Sequence, residues 1–479
     1  MISSSVPYIG HILGLLKYGT RYYRRISAKC KFPIYTLPTL NGKIYVVTSV
    51  DLVNAVNRNS KTLAFNPFIA QLGKRITGHD EATSKVVQHN LNGESGPGYV
   101  TEIHDGTVST LSPGASLESM TRAMLAEASS YLQSLKPGEQ INLFAWTKQM
   151  VTLCSTRAIY GPCNPFSQGE NGLVDAFWDF DQDLNKLIID IWPNITAPKG
   201  NRARTKLGMA FQKYFSTYDP KTSESAAMIQ ARHSTNTLYG LTPWNQGRLE
   251  VGVLLGILAN TIPAIFYMLI HVLSDPDLLR DIRAELQATS IELSPDGQTR
   301  VLNVMTMREK CTLLHSTFQE TLRIHALGSS VRYVREDILL ADQYLLKKGN
   351  VVQMPMAVMH SDPSAWGPNV HEFEARRFLK TSASTKDSKT AYRPFGGGAS
   401  LCPGRHFVTL EAMALVAVFV LRFDVVPVDR YGTNRGTWRI PEQKQESMAT
   451  NVFPLEEDVR VEIREREGSE GVEWGFEMK

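Results

Sequence analysis

The sequence predicts a mainly α-helical protein with a small β region. Three observations carry this. Apolar residues recur at helical spacing through most of the stretch from 117 to 325. One long apolar-rich run occupies 240–273. Runs of β-branched and aromatic residues are few and short, near the N-terminus, between 331 and 354 and in the tail.

Taken in order, the run 6–18 (VPYIGHILGLLKY) is apolar but short. A membrane-spanning helix needs about 20 apolar residues, and Pro7, His11 and Lys17 interrupt this one. It is expected to be the first packed helix or a segment lying on a membrane surface, with no complete transmembrane anchor and no three-part signal peptide. Segments 34–37 and 43–48 form a predicted hairpin through Asn41-Gly42. From 80 to 118 the chain turns polar and rich in Gly, Ser and Thr, which predicts a long loop over a binding site. A helix is predicted over 117–135, with Ser116 as N-cap and Glu118 in its first turn. Stretches 141–160 and 172–192 continue in that mode. The run 240–273 holds Gly252, Gly256 and Pro263. Its internal proline and lack of flanking basic clusters favour a buried core helix over a membrane span. Helices are predicted over 275–289, 305–325 and 412–423, and strands over 331–334, 338–340 and 351–354. The tail (VRVEIRERE) alternates like an exposed strand. No internal repeat appears, and residues 1–479 are expected to form one domain.

Of the 479 residues, 43% are hydrophobic and 20% charged, which excludes wholesale disorder. A net charge of +4 implies a mixed, solvated surface and no nucleic-acid partner. The five cysteines are scattered, so neither a disulfide framework nor a zinc cluster is expected. Cys402 stands apart because of its neighbours.

Those neighbours read RPFGGGASLCPGRHF over 393–407. Three successive glycines, ending at Gly398, open backbone conformations closed to other residues and allow close approach to a flat ligand. Cys402 falls where the loop gives way to an apolar helix, so backbone N–H groups and the helix N-terminus favour its thiolate. Gly404 leaves room beside the sulfur, and Phe395 can shield it from water. The order F-x-x-G-x-x-x-C-x-G resembles the haem-binding loop of the cytochrome P450 superfamily. The resemblance implies that family's fold, a helical prism with a long central helix over haem. It also implies haem b (iron protoporphyrin IX) held through an axial thiolate from Cys402, the metal ligand; such a thiolate favours O–O cleavage.

Two further segments agree. Glu320-Thr321-Leu322-Arg323 resembles the family's E-x-x-R pair, whose spacing puts both charges on one helical face. Phe373–Phe378 resembles its F-x-P-x-R-F segment with Ala375 in place of proline, so Arg377 completes a Glu320–Arg323–Arg377 cluster. His360-Ser361-Asp362-Pro363 fits the stretch before it.

In the central helix the family usually has an acid followed by threonine, which relay protons to bound dioxygen. Here Asn260 takes the acid's place and Thr261 keeps the hydroxyl. An amide does not titrate near neutral pH and acts only by hydrogen bonding. The sequence ANTIPA resembles the branch containing the sterol 7α-hydroxylases and prostacyclin synthase, and Ser400 agrees, standing where most members have Arg or His. Arg332 is then the candidate for pairing with a haem propionate. The family's W-x-x-x-R helix is not found.

The resemblance implies a monooxygenase acting on an apolar terpenoid, steroid-like or other polycyclic natural product, in the manner of fungal secondary-metabolite members. Electrons would come from NADPH through a separate cytochrome P450 reductase, at the cytoplasmic face of the endoplasmic reticulum if the chain is anchored and in the cytosol otherwise. The alternative is reductase-independent isomerase or dehydratase chemistry on a peroxide. Segments 80–116, 253–261, 326–331 and 447–453 are expected to line the substrate pocket.

Overall fold

The computed structural model describes all residues except 4–7, 41, 168–171, 295–298, 381–385, 430–434, 445–449, 470 and 479. Val6, Pro7, the hairpin residue Asn41 and residues 447–449 of the predicted pocket segment therefore lie outside the described residues.

The organising element is a helix of 32 residues, Pro243–Ser274. It begins at a capping box: Thr242 Oγ1 accepts from Asn245 N, and Asn245 Oδ1 accepts from Thr242 N at 2.9 Å, with Pro243 at the first helical position. Its apolar length alone suits a membrane, but 78% of that window is buried inside the protein, as expected for a core helix. The α-helical pieces Pro243–Leu254 and Thr261–Ser274 are joined by a π-helical turn, Leu255–Ala259. Pro263 follows in the first turn after this break.

Around Thr261–Ser274 pack Leu143–Tyr160, Thr312–His325 and the C-terminal helix Arg405–Arg422, which carries an almost wholly buried run from Leu410 to Leu421. The rings of Phe144 and Phe266 meet edge-on at 5.2 Å, and those of Trp146 and Phe419 lie 5.1 Å apart. Beside this core lies a five-stranded sheet with Ile34–Thr39, Gly42–Val47, Val351–Pro355, Ser329–Val334 and Leu63–Ala64 in that spatial order. The hairpin is present, with Ile34 opposite Val47 and Thr39 opposite Gly42.

Five expectations need correction. Stretch 172–192 is not one helix but two, Leu173–Gln182 and Leu184–Ile189, parted at Asp183 and ended by the left-handed Asp190. Segment 80–118 is not a loop but holds the helices Glu81–Gln88 and Tyr99–Leu111. Its hydroxyl side chains fold back on carbonyls one turn earlier: Thr107 Oγ1 donates to Ile103 O at 2.7 Å and Ser112 Oγ to Val108 O at 2.7 Å. The next helix starts at Ala115 with Gly114 as N-cap, ahead of Ser116. The single helix predicted over 305–325 is two, Val304–Lys310 and Thr312–His325. The break is at Cys311, beyond which the Glu285 carboxylate accepts from Leu313 N at 2.8 Å and Leu314 N at 3.1 Å, an anion seated on a helix N-terminus. In the tail, Arg460–Glu465 is not an exposed strand. It is the middle one of three, between Phe423–Pro427 and Gln140–Asn142, with Val461 and Ile463 buried.

Candidate active site

The glycine-rich loop is a tight structure bonded to itself. Gly396 N donates to Arg393 O at 3.0 Å, Leu401 N to Gly398 O at 3.1 Å and Cys402 N to Phe395 O at 2.9 Å. Gly398 has φ +61°, and a Cβ there would come within 3.0 Å of Asn57, so both conformation and space demand glycine. Phe395 is half-buried against the core and meets Cys402 through its carbonyl. Gly404 has an ordinary φ of −77° and caps Arg405–Arg422; a Cβ on it would meet only the Cys402 sulfur, at 3.9 Å. The space it keeps clear is therefore on the open side of the loop, beside the sulfur.

Burial pushes the Cys402 thiol up, against the pull of the Gly404 and Arg405 N–H groups and of the Arg405 charge. The backbone donors expected to favour the thiolate are present, but in the protein alone burial outweighs them. A cation on the sulfur reverses that balance, because a coordinating thiol loses its proton.

Arg332 lies on strand Ser329–Val334 and is almost fully buried. It donates to Ser400 Oγ at 2.7 Å, Gly397 O at 3.0 Å, Asn57 Oδ1 at 3.1 Å and Val331 O at 2.7 Å. All four acceptors are neutral, and among the described residues Arg332 has no carboxylate partner. Burial and the nearby Arg393 charge bring its pKa down to about 10. An unpaired buried guanidinium is costly, and beside the cysteine loop it suits an anionic ligand group such as a haem propionate.

Glu320 and Arg323 meet in a two-pronged ion pair, Nε to Oε2 and Nη2 to Oε1 both at 2.7 Å. Arg377 Nε adds contacts to the same carboxylate at 3.1 and 3.2 Å. The cluster reaches the cysteine loop through His360. Arg323 Nη1 donates to His360 O at 2.9 Å, and Arg393 N donates to His360 Nε2 at 3.0 Å. Burial, with Arg323 alongside, lowers the His360 pKa to about 3, so the ring is neutral and can accept.

The central helix is uncovered along one stripe. Gly256 is exposed, and Gly252, Val253, Ile257 and Asn260 are half-buried at helical spacing, while Leu254, Leu258 and Ala259 are fully enclosed. Asn260 Oδ1 accepts from Asn451 N at 2.7 Å and Val452 N at 3.1 Å. Among the described residues, neither backbone groups freed by Pro263 nor a relay partner holds it. Thr261 is buried, and among the described residues its hydroxyl has no partner. The loop at 451 continues the frame: Leu327 N donates to Asn451 O at 2.8 Å, and a Cβ on Gly328 would overlap Asn451 Oδ1 at 1.9 Å. Ser330 Oγ lies 3.8 Å from the position a Gly396 Cβ would take. Helix, C-terminal loop, turn 326–330 and cysteine loop are thus linked one to the next by close contacts. Asn57, Arg393 and Asn451 were not singled out in the sequence, and His360 entered only as part of the segment 360–363, with no role of its own.

A flat cofactor with an anionic edge, which Cys402 would hold through its sulfur and Arg332 through its charge, would fit these residues, and the architecture is that of a haem-thiolate oxygenase. Comparison with known proteins agrees. A model of the cytochrome P450 family matches residues 248–437. The cytochrome P450 monooxygenase nodJ of Hypoxylon pulicicidum is 32% identical over 496 residues, covering 100% of this chain and 92% of that protein. A cytochrome P450 monooxygenase of Gibberella zeae is 30% identical over 491 residues, covering 99% and 90%. The 25-hydroxycholesterol 7-alpha-hydroxylase of Rattus norvegicus is 25% identical over 398 residues, covering 78% and 91%. The chain belongs to the cytochrome P450 family of monooxygenases, whose cofactor is haem held by a thiolate.

Proposed function

We propose that this enzyme inserts one atom of dioxygen into an apolar polycyclic natural product, terpenoid or steroid-like, in a secondary-metabolite pathway. Its electrons come from NADPH through a separate reductase. The 7-alpha-hydroxylase and fungal relatives support this substrate class. The observation that carries the reading is Cys402 on its self-bonded loop, with Arg332 beside it unpaired by any carboxylate among the described residues.

In this reading Cys402 ligates the iron and donates electron density to it. Bound haem supplies the binding and activation of dioxygen. Arg332 holds a propionate, with Ser400 setting its angle. Phe395, Gly398 and Gly404 shape the loop, and Glu320, Arg323 and Arg377 hold it in place through His360. Thr261 handles protons, because its hydroxyl both donates and accepts. Asn260 does not: its oxygen is occupied by two backbone N–H groups, so its free Nδ2 only donates, orienting water or a substrate oxygen. The exposed Leu13 and Leu16 of helix Gly10–Tyr18 support peripheral membrane contact, at the endoplasmic reticulum.

Reconstitution tests the reading. Product formation that requires NADPH and reductase supports it, with Thr261→Ala diverting reducing equivalents to released hydrogen peroxide. Rearrangement of a hydroperoxide substrate without NADPH selects the isomerase reading instead, which the non-titrating Asn260 favours. The substrate itself is the precursor that accumulates in a host lacking the protein.

A further inference from the structure

Arg248 stands on the central helix one turn before Gly252 and two before Gly256, so it continues the uncovered stripe. It is half-buried, with its guanidinium 5.3 Å over the Trp244 ring, and among the described residues it makes no hydrogen bond or ion pair. Its side chain crosses Gly208 of helix Pro198–Ser216, where an added Cβ would come within 3.1 Å of Arg248 Cδ. Arg204, one turn earlier on that helix, is 8% exposed. It donates to Arg75 O and Asn201 Oδ1, both neutral, and its buried Nε has no partner among the described residues. A Cβ on Gly78 would lie 3.1 Å from the Arg204 guanidinium, and Thr77 Cγ2 is equally near the position of a Gly252 Cβ. Burial and then the Arg248 charge lower the Arg204 pKa. Asp190 pulls the other way but forms no ion pair with it among the described residues.

Like charges held without a counter-ion repel, and a guanidinium withdrawn from water loses hydration. An anion between the two offsets both costs, and a carboxylate matches their planar forks. The other end of the stripe, Asn260, is tied through Asn451 to the turn beside the cysteine loop. Between the ends lie Val253, Gly256 and Ile257, and a Cβ on Gly256 would meet nothing within 4 Å. From residue 248 to residue 260 the helix rises roughly 18 Å. A free anion gains nothing from that apolar length, whereas a hydrocarbon body does. We propose that Arg204 and Arg248 hold a carboxylate at one end of the substrate, whose apolar polycyclic body lies along the stripe toward Cys402. This rests on the oxygenase reading above, with segment 253–261 lining the substrate pocket, and it narrows the substrate class to polycyclic acids.

Equilibrium dialysis of the haem-loaded protein tests it, with lithocholic acid, its methyl ester and acetate as probes. The acid is expected to bind one to one and about tenfold or more tighter than the ester, with acetate not retained at the same concentrations. Arg248→Gln changes a half-exposed side chain and should keep the wild-type haem absorbance while erasing the difference between acid and ester. Arg204→Gln should erase it too. Equal binding of acid and ester by the wild type, binding of neither, or a preference for the acid that survives in Arg248→Gln overturns the carboxylate anchor. Acetate retained as tightly as the acid overturns the apolar body. The oxygenase reading fails separately: NADPH-dependent oxidation of an uncharged precursor keeps that reading and overturns only the anchor.

Discussion

Asn260 and Asn451, far apart in the chain, are bonded in the interior: the Asn451 backbone N–H donates to the Asn260 side-chain oxygen at 2.7 Å. Val452 donates to the same atom. The amide therefore spans from the central helix to the C-terminal loop just after its π-helical turn, and its chemistry follows from that fixed orientation. Replacing it by leucine strands two backbone donors, a loss of about 1–3 kcal/mol. Asn260→Leu should melt several degrees lower and shift the ratio of oxidation products, while Asn260→Asp, which still accepts both bonds, should keep the melting temperature. Identical melting and product ratios for the leucine variant would show that the bond does not shape the pocket.

Glu320 carries two guanidinium partners at essentially no exposure. Glu320→Ala leaves Arg323 buried beside no carboxylate, and breaking a buried pair this way costs about 3–5 kcal/mol, a large part of a typical 5–15 kcal/mol total. Arg323→Lys should fail too, because one ammonium does not replace a fork that also serves the carbonyls of His360 and Val370. Arg377→Ala should be milder, since Arg377 sits partly in solvent. Haem content per chain and yield of folded protein give the order; equal yields across the three would defeat it.

How much of this was legible in the sequence depends on where each interaction lies along the chain. Cys402, Glu320 and Arg323 fall in compact motifs whose spacing sets their geometry, so they could be placed without a structure. Arg332 was reached through the residue missing at 400, and Ser400 Oγ does accept from it. The role of Asn260 was not legible, because its partners are two backbone amides almost two hundred residues away and no side chain announces them. The helices within 80–118 were hidden for a different reason. Hydroxyl side chains that bond their own backbone resemble loop composition, and only Tyr99 and Leu111 of the second helix are buried.

Arg332 offers a test of cofactor seating that is independent of turnover. If it holds a propionate, Arg332→Gln should weaken haem binding about tenfold or more, the scale of one lost charge-assisted contact. Haem whose propionates are methyl esters should bind wild type and variant alike. A variant that loses affinity equally for both forms of haem would have lost the shape of the loop rather than an ionic contact.

Glu411 lies on the helix that follows the cysteine, fully buried, with Ser155 Oγ donating to it at 2.6 Å. Burial raises its pKa from 4.5 to about 8, partly opposed by that hydroxyl. The sign of the consequence follows. Below about pH 4.5 the carboxyl is protonated in folded and unfolded chains alike and exacts no penalty. As pH rises toward 8 the unfolded chain ionises while the folded one resists, so folding weakens by up to about 1.4 kcal/mol per pH unit, and above that range the penalty is complete. Glu411→Gln removes the proton and keeps the acceptor for Ser155. Its melting temperature should rise relative to wild type as pH increases from about 5 to 8, whereas parallel melting curves would mean that Glu411 is already ionised in the fold. Ser155→Ala should push the same transition to higher pH, because it removes the one bond that favours the charged form.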